Sequence, residues 1–253
     1  MSEWNELLLD AARVGNLEEV KRLVEQGADI HAEDDWALRC ATNNGHCGVV
    51  KYLVENGADI HAEDDWALRW AARRGHLEVI KFLVERGADI RADNESALIW
   101  AAEKGHLEVV KYFVEQGADI HAEDDWALRM AAREGHLEVV KFLVGEGADV
   151  HADDDAIIHA AAGNGHLEVV KFLVEKGADI HADNESALIW AASEGHIEVV
   201  EFLLDKGAPI EIAKEHGTDA VKDFCKAYEL QKMLGAKLHQ SAPTKTKTAK
   251  FKI

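Results

Sequence analysis

Three kinds of residue in this chain could do chemistry: histidines, clustered carboxylates and tryptophan–arginine pairs. All three recur on a fixed beat. Of the fourteen histidines, His31, His61, His121, His151 and His181 occupy one position thirty residues apart. His46, His76, His106, His136, His166 and His196 occupy another on the same spacing. Histidines in one row can share a metal only if successive units bring their rings together. Packed helix layers lie about 8–10 Å apart, and two imidazoles holding one zinc at about 2.0–2.1 Å do not span that gap. No metal site is expected.

The carboxylates form one cluster per unit: Glu33-Asp34-Asp35, Glu63-Asp64-Asp65, Asp93 with Glu95, Glu123-Asp124-Asp125, Asp153-Asp154-Asp155, and Asp183 with Glu185. None has the glycine and terminal glutamate of a calcium-binding loop. Paired carboxylates can exchange protons with a substrate, but a cluster repeated in every unit implies no cleft. A solvated acidic edge is expected, able to steer a basic segment onto the chain. No serine sits in a nucleophile elbow. No phosphate-cradling glycine motif is present, and Gly163-Asn164-Gly165 reads as a turn. The chain is expected to be no enzyme and to carry no cofactor.

The tryptophans are more informative. Trp36, Trp66 and Trp126 are followed three residues later by Arg39, Arg69 and Arg129, which puts each pair on one helix face. One reading is structural: the ring fills space and the arginine pairs with neighbouring acids. The other is functional, since tryptophan and arginine are the types enriched in binding hot spots. Trp70, Trp100, Met130 and Trp190 stand four residues beyond the junction position and are expected mainly in the core.

These residues must be positioned by the repeat itself. Gly-Ala recurs at Gly27, Gly57, Gly87, Gly117, Gly147, Gly177 and Gly207, and Gly-His keeps the same thirty-residue beat from Gly45 to Gly195. A fixed period of this size marks an array of small supersecondary units. In one unit, Trp66 to Ala72 is rich in helix formers and stops at Gly75. A second helix runs from Leu77 to Glu85, with Leu77, Ile80, Leu83 and Val84 at helical spacing. Gly87 ends it, because glycine alone enters the left-handed region cheaply. Asp65, or Ser96 and Ser186 one position later in their repeats, is expected to cap the first helix. Asp93 to Ala102 recurs letter for letter at Asp183 to Ala192.

The pattern Ala-Ala-x-x-Gly-His-Leu-Glu-Val-Val-Lys-x-Leu-Val-x-x-Gly-Ala-Asp-Ile resembles the second half of an ankyrin repeat and extends over residues 10–235. The family's Thr-Pro-Leu-His is replaced by Trp66-Ala67-Leu68-Arg69 or Ser96-Ala97-Leu98-Ile99. The family's unit is about 33 residues, so roughly three are missing, and they fall in the β-hairpin finger. Such arrays are similar to those encoded by large DNA viruses. The resemblance implies an all-α solenoid of about eight helix-turn-helix units with shortened fingers. Residues 1–34 read as an N-terminal capping repeat, with Asn5, Glu6, Glu18, Glu19, Lys21 and Arg22 on its outside. Residues 35–208 are regular repeats, 209–235 a truncated C-terminal cap, and 236–253 a disordered lysine- and threonine-rich tail.

The resemblance also implies a role in protein–protein binding on the concave inner-helix and finger face. Positions just before Gly-His face that surface in the family, and here they vary most. They include Arg73, Arg74, Lys104 and Arg133. The candidate partner-binding residues are therefore Trp36, Trp66, Trp126, Arg39, Arg69, Arg129, Arg73, Arg74, Lys104 and Arg133. The net charge of −20 opposes nucleic acid and anionic lipid and favours a partner with a basic or mixed-charge surface. Cys40, Cys47 and Cys225 are sparse and unpaired in spacing, as in reduced intracellular proteins. No segment has the about 20 apolar residues of a membrane span. A cytoplasmic monomer is expected. Two alternatives stand beside it: a designed or purely structural array without an evolved partner, and an adaptor whose basic tail recruits a second factor.

Overall fold

A computed structural model of the chain describes residues 3–240, with side chains through Leu234. The described residues form sixteen helices and no strand. The first pair is α1 (Glu3–Val14) and α2 (Leu17–Glu25). Six regular pairs follow: α3 (Ala32–Asn43) with α4 (Cys47–Glu55), α5 (Ala62–Arg74) with α6 (Leu77–Glu85), α7 (Ala92–Glu103) with α8 (Leu107–Glu115), α9 (Ala122–Arg133) with α10 (Leu137–Gly145), α11 (Ala152–Gly163) with α12 (Leu167–Glu175), and α13 (Ala182–Glu194) with α14 (Ile197–Asp205). The last pair is α15 (Ile210–His216) and α16 (Asp219–Gln240). The tail expected to be disordered from residue 236 is helical through Gln240, as the end of α16, and from residue 241 it lies outside the described residues.

Side-chain volume sets the shape of the stack. Each odd-numbered, inner helix presents small residues to its neighbours, as Ala67, Ala71 and Ala72 do in α5, all almost fully buried. Each even-numbered, outer helix presents large ones, as Val79, Ile80 and Leu83 do in α6. Inner helices therefore pack closely on one another and outer helices touch more lightly. A stack packed more closely on one side curves toward that side, which puts the inner helices on its concave face. A fully buried leucine or isoleucine contributes about 1.5–3 kcal/mol, and each unit supplies several.

The Gly-His marker is an inter-repeat joint. His106 Nε2 lies 3.0 Å from the Arg73 carbonyl of the preceding repeat. A carbonyl only accepts, so this nitrogen donates and the neutral ring is the Nε2–H tautomer. The ring lies on Gly75, which turns the chain at φ +77° and where an added Cβ would stand 2.6 Å from His106 Nδ1. Histidine and glycine are thus two halves of one contact, one from each repeat.

A second joint replaces the finger. Glu63, Asp64 and Asp65 are left-handed, with φ of 55°, 53° and 56°, before α5 continues right-handed from Trp66. Aspartate and asparagine tolerate this region better than other residues, which accounts for the acid-and-asparagine composition of the junction. The turn swings the third carboxylate onto the next repeat. Asp89 N–H donates to Asp65 Oδ1 at 3.0 Å, and the same bond joins Asp59 to Asp35, Asp119 to Glu95, Asp149 to Asp125, and Asp179 to Asp155. Asn5 fills this position in the first repeat, taking the Asp29 N–H at 3.0 Å. The series stops at Glu185, because Pro209 stands where the donor would be and has no N–H.

Two expectations are corrected by this joint. Asp65 does not cap its own helix: its carboxylate accepts from Asp89 and meets His61 Nδ1 at 3.2 Å. Ser96 donates instead to the Asp93 carbonyl at 2.6 Å and carboxylate at 2.9 Å. The acidic edge is solvated only in its first two residues. Asp35, Asp65, Glu95, Asp125 and Asp155 are all buried.

The ends differ from the middle. In the C-terminal cap Asp205 accepts from Tyr228 and Lys232, both at 2.8 Å, tying α14 to α16. Those bonds, Lys232 first, hold its carboxyl below the usual range. Neither cap is fully polar outside: Trp4, Leu7 and Val14 in α1 and Leu230, Met233 and Leu234 in α16 are exposed. The three cysteines are free thiols, and burial raises Cys40 and Cys225 above the ordinary range.

Two outcomes follow from these joints. Gly75→Ala displaces the His106 ring as well as straining the backbone, whereas an added Cβ at Gly87, φ +98°, meets nothing within 4 Å. Denaturant titration is expected to show a loss of about 1–2 kcal/mol for Gly87→Ala and a larger loss for Gly75→Ala. At Glu95, burial first and foremost raises the carboxyl above 4.5, and Oε2 is buried without a partner. The folded state therefore holds the proton more tightly than the unfolded chain, and stability falls as pH rises from about 4.5 through the raised value. Glu95→Gln keeps an acceptor for Asp119. It is expected to remove that decline and to match or exceed the parent in stability at pH 7, read by thermal melts across pH.

Candidate inner-face binding site

The junction that stitches the repeats also aims the first residues of each inner helix onto the concave face. Trp36 and Trp126 are exposed there, and Trp66 is half-buried. Arg39 lies over the Trp36 ring, with its guanidinium carbon 4.6 Å from the centroid, and Arg129 lies over Trp126 at 4.8 Å. In these two repeats the arginine covers the tryptophan three residues before it.

In the third the arrangement differs. Arg69 reaches the next repeat, where it lies 5.6 Å from the Trp100 ring, bonds the Asp93 carboxylate and donates to the Glu63 carbonyl at 2.8 Å. Only 12% of its side chain is exposed. Trp66 instead stacks on Trp70 at 5.0 Å and receives Arg39 at 5.4 Å. Rings and cations then form a ladder along the face. Trp36 meets Trp66 at 6.1 Å, Trp70 meets Trp100 edge-on at 6.0 Å, and Arg73 lies 4.8 Å from Trp70. Arg74 bonds Asn43 Oδ1 at 3.0 Å, bridging two repeats.

The remaining candidates stand apart from the ladder. Lys104 pairs with Glu103 at 2.6 Å and Arg133 with Glu134 at 3.9 Å, both at the surface. Arg129 is also held by Asp153 at 2.6 Å. Cys40 stands where later repeats carry Trp70, Trp100 or Met130, which opens a cleft of about 380 Å³ between Arg13, Trp36, Trp66, Trp70 and Arg74.

The second tryptophan row is not uniformly core. Met130 is buried, and Trp70 and Trp100 are half-buried beneath arginines. Trp190 is 54% exposed, because the preceding helix offers only Ala160 and Gly163 to pack on it. Around it lies a cleft of about 650 Å³. His159 lines this cleft, and burial lowers it below its ordinary 6.5. Sequence reasoning passed over this place. Its signal was the run of small residues in α11, Ala156, Ala160 and Gly163, at positions that carry Trp66, Trp70 and Arg73 in α5.

Among the described residues no three histidine, cysteine or carboxylate side chains converge as a metal site would require. The His31 row is spent on the stitch: His31, His61, His121 and His151 each face the carboxylate four residues on at 3.1–3.2 Å.

A family model described as ankyrin repeats, in three copies, matches residues 3–64, 63–124 and 128–214. The chain belongs to the ankyrin-repeat family. Among solved structures it is similar to the ankyrin repeat domain of human ASB11, with 28% identity and a TM-score of 0.71, over 80% of this chain and 98% of that one. No curated protein matches the chain in sequence. No helix of the described residues is long and apolar enough to cross a membrane.

The ladder separates structural arginines from exposed ones. Arg69→Ala removes bonds to the Glu63 carbonyl and Asp93 from a nearly buried position, and denaturation is expected to show a loss of about 1.5–3 kcal/mol. Arg73→Ala loses only ring contacts at the surface, about 0.5–1 kcal/mol.

Proposed function

We propose that this ankyrin array is a non-catalytic scaffold that binds a protein partner on its inner-helix face. The observation that carries this reading is the ladder of partly exposed tryptophans and guanidinium groups from Trp36 to Trp100, continued by Trp126 and Arg129. Rigid aromatic side chains with arginine beside them are the residues that dominate interface energetics. The array supplies rigidity, so little ordering cost opposes binding. Trp36, Trp66, Trp126, Arg39, Arg129, Arg73, Arg74, Lys104 and Arg133 form the contact surface, and Arg69 holds two repeats in line beneath it.

The partner we infer has a basic or mixed-charge surface. Glu33, Asp34, Glu63, Asp64, Glu123 and Asp124 keep their carboxylates exposed along the edge, and such a strip raises the association rate of a basic protein. Nucleic acid and anionic membrane are opposed by the same charge. The protein acts as a cytoplasmic monomer in this reading.

One observation favours a second reading, a structural array with no evolved partner. Much of the ladder satisfies itself, as Arg69 does. Affinity capture from the native cell, followed by titration of the captured protein, separates the two. Trp66→Ala and Trp126→Ala are expected to weaken capture by about 1–2 kcal/mol or more each. Unchanged capture by the double variant would remove the inner face from the account.

A further inference from the structure

Arg69 shows what the inner face makes of a guanidinium. It is bracketed by the Glu63 carbonyl, the Asp93 carboxylate and the Trp100 ring. The segment that supplies two of these three groups, Asp93 to Ala102, recurs letter for letter as Asp183 to Ala192. The third group, the carbonyl of Glu63, has its counterpart at Asp153. The receptor for Arg69 is therefore built twice. The arginine is not: the residue in register with Arg69 is His159.

The other cations are missing from the copy as well. Arg73 covers Trp70 and Trp100 at 4.8 and 5.7 Å, and Arg74 reaches Trp70 at 5.7 Å. In register with them around Trp190 stand Gly163, Ser193 and Glu194. Each of Trp36, Trp66, Trp70, Trp100 and Trp126 has a guanidinium within 6 Å of its ring centroid. Trp190 has none among the described residues, and it is 54% exposed. Among the described residues the Asp183 carboxylate takes only the Ser186 hydroxyl, at 2.8 Å.

The shortened side chains leave space as well as unmatched groups. Ala156, Ala160 and Gly163 border the cleft of about 650 Å³, and Asp154, Asp183 and Glu194 line it beside Arg129, whose charge Asp153 holds at 2.6 Å. A Cβ at Gly163 would stand 3.2 Å from Trp190 Cβ, so a larger residue here would press on the base of that side chain. His159 lines the cleft as well, and its Nε2 is buried without a partner among the described residues.

We propose that this cleft receives an arginine side chain of a protein partner, its guanidinium stacked on Trp190 and paired with Asp183, in the geometry that Arg69 adopts three repeats earlier in the array. The inference rests on the scaffold reading and deepens it. It adds a specificity pocket, acidic with an aromatic wall, that adjoins Arg129 at the C-terminal end of the ladder. The ladder presents arginines to the partner, and this cleft takes one from it. Arginine fits better than lysine here, because a planar group can stack on the ring and pair with a carboxylate at once.

The decisive variant is His159→Arg. Arginine is the resident of this position at Arg39, Arg69 and Arg129, so the variant is expected to fold and to fill the cleft with the chain's own cation. Random peptides displayed on phage are selected on the full-length protein, and the winners are titrated calorimetrically. Wild type is expected to select peptides with an arginine at one fixed position. Replacing that arginine by alanine, or using His159→Arg or Trp190→Ala protein, is expected to weaken binding by about tenfold or more. Replacing it by lysine is expected to cost less. Argininamide alone is expected to bind at least about a hundredfold more weakly than the peptide. Peptides that lack a fixed arginine, or that bind His159→Arg as well as wild type, would overturn the pocket. If those peptides still need Trp66 and Trp126, the scaffold reading survives. Selection of no peptide at all would count against both, and argininamide binding as tightly as the peptide would overturn docking of a protein partner here.

Discussion

One hydrogen bond sets the terms for the rest of this array: a backbone N–H at the start of each repeat donating to a carboxylate buried in the repeat before. The ankyrin unit normally reaches its neighbour through a hairpin finger. Here about three residues of that finger are gone, and the chain must turn from Ile60 into α5 within a few residues. Left-handed backbone at Glu63, Asp64 and Asp65 makes the turn, at a cost of about 1–2 kcal/mol for each such residue. The buried bond from Asp89 to Asp65, and the apolar packing beneath it, offset that cost. The same turn accounts for the aspartates and asparagines of the junction, which tolerate left-handed backbone, though not for its glutamates. Charge at the edge is partly a by-product of what the backbone needs.

The joint also determines which residues are free to recognise anything. Gly-His and Gly-Ala are committed to stacking, and the third acid to the stitch. What remains on the concave face are the positions of Trp66, Arg69, Trp70, Arg73 and Arg74 in each unit. The array spends them unevenly. From α3 to α7 they make a self-supporting ladder of rings and cations. In α11 they shrink to Ala156, Ala160 and Gly163, and the following helix presents a bare ring. The thermodynamic consequence is a rigid surface with two different ends, one rich in arginine and one acidic.

Most of the architecture was legible in the sequence, because a thirty-residue period with alanine pairs, Gly-His and Gly-Ala leaves little freedom in helix number or order. The role of the third acid was not. Exposure of Asp64 and burial of Asp65 depend on backbone handedness, which charge and hydropathy do not report. A register argument would have found it. Asn5 stands thirty residues before Asp35, and Pro209 stands where the next donor would follow Glu185, so both ends of the stitched series are marked. Trp190 was misread for a related reason. A tryptophan four residues past the junction is shielded only if the preceding helix supplies bulk, and the short side chains of α11 withhold it. Each error came from reading a unit alone when its environment is set by the unit before it.

The stitch can be tested on single amides. Native-state hydrogen exchange followed by NMR reports the Asp59, Asp89, Asp119, Asp149 and Asp179 N–H groups individually, with the His61 and His121 amides as references. Those two are bonded at 2.8 and 2.9 Å to the exposed carboxylates of Asp59 and Asp119. If a buried carboxylate of the preceding repeat holds the five aspartate amides, they are protected nearly as well as core helix amides and far better than the references. If they exchange as fast as the references, the carboxylate joint does not hold the repeats together and the explanation of the shortened unit is wrong.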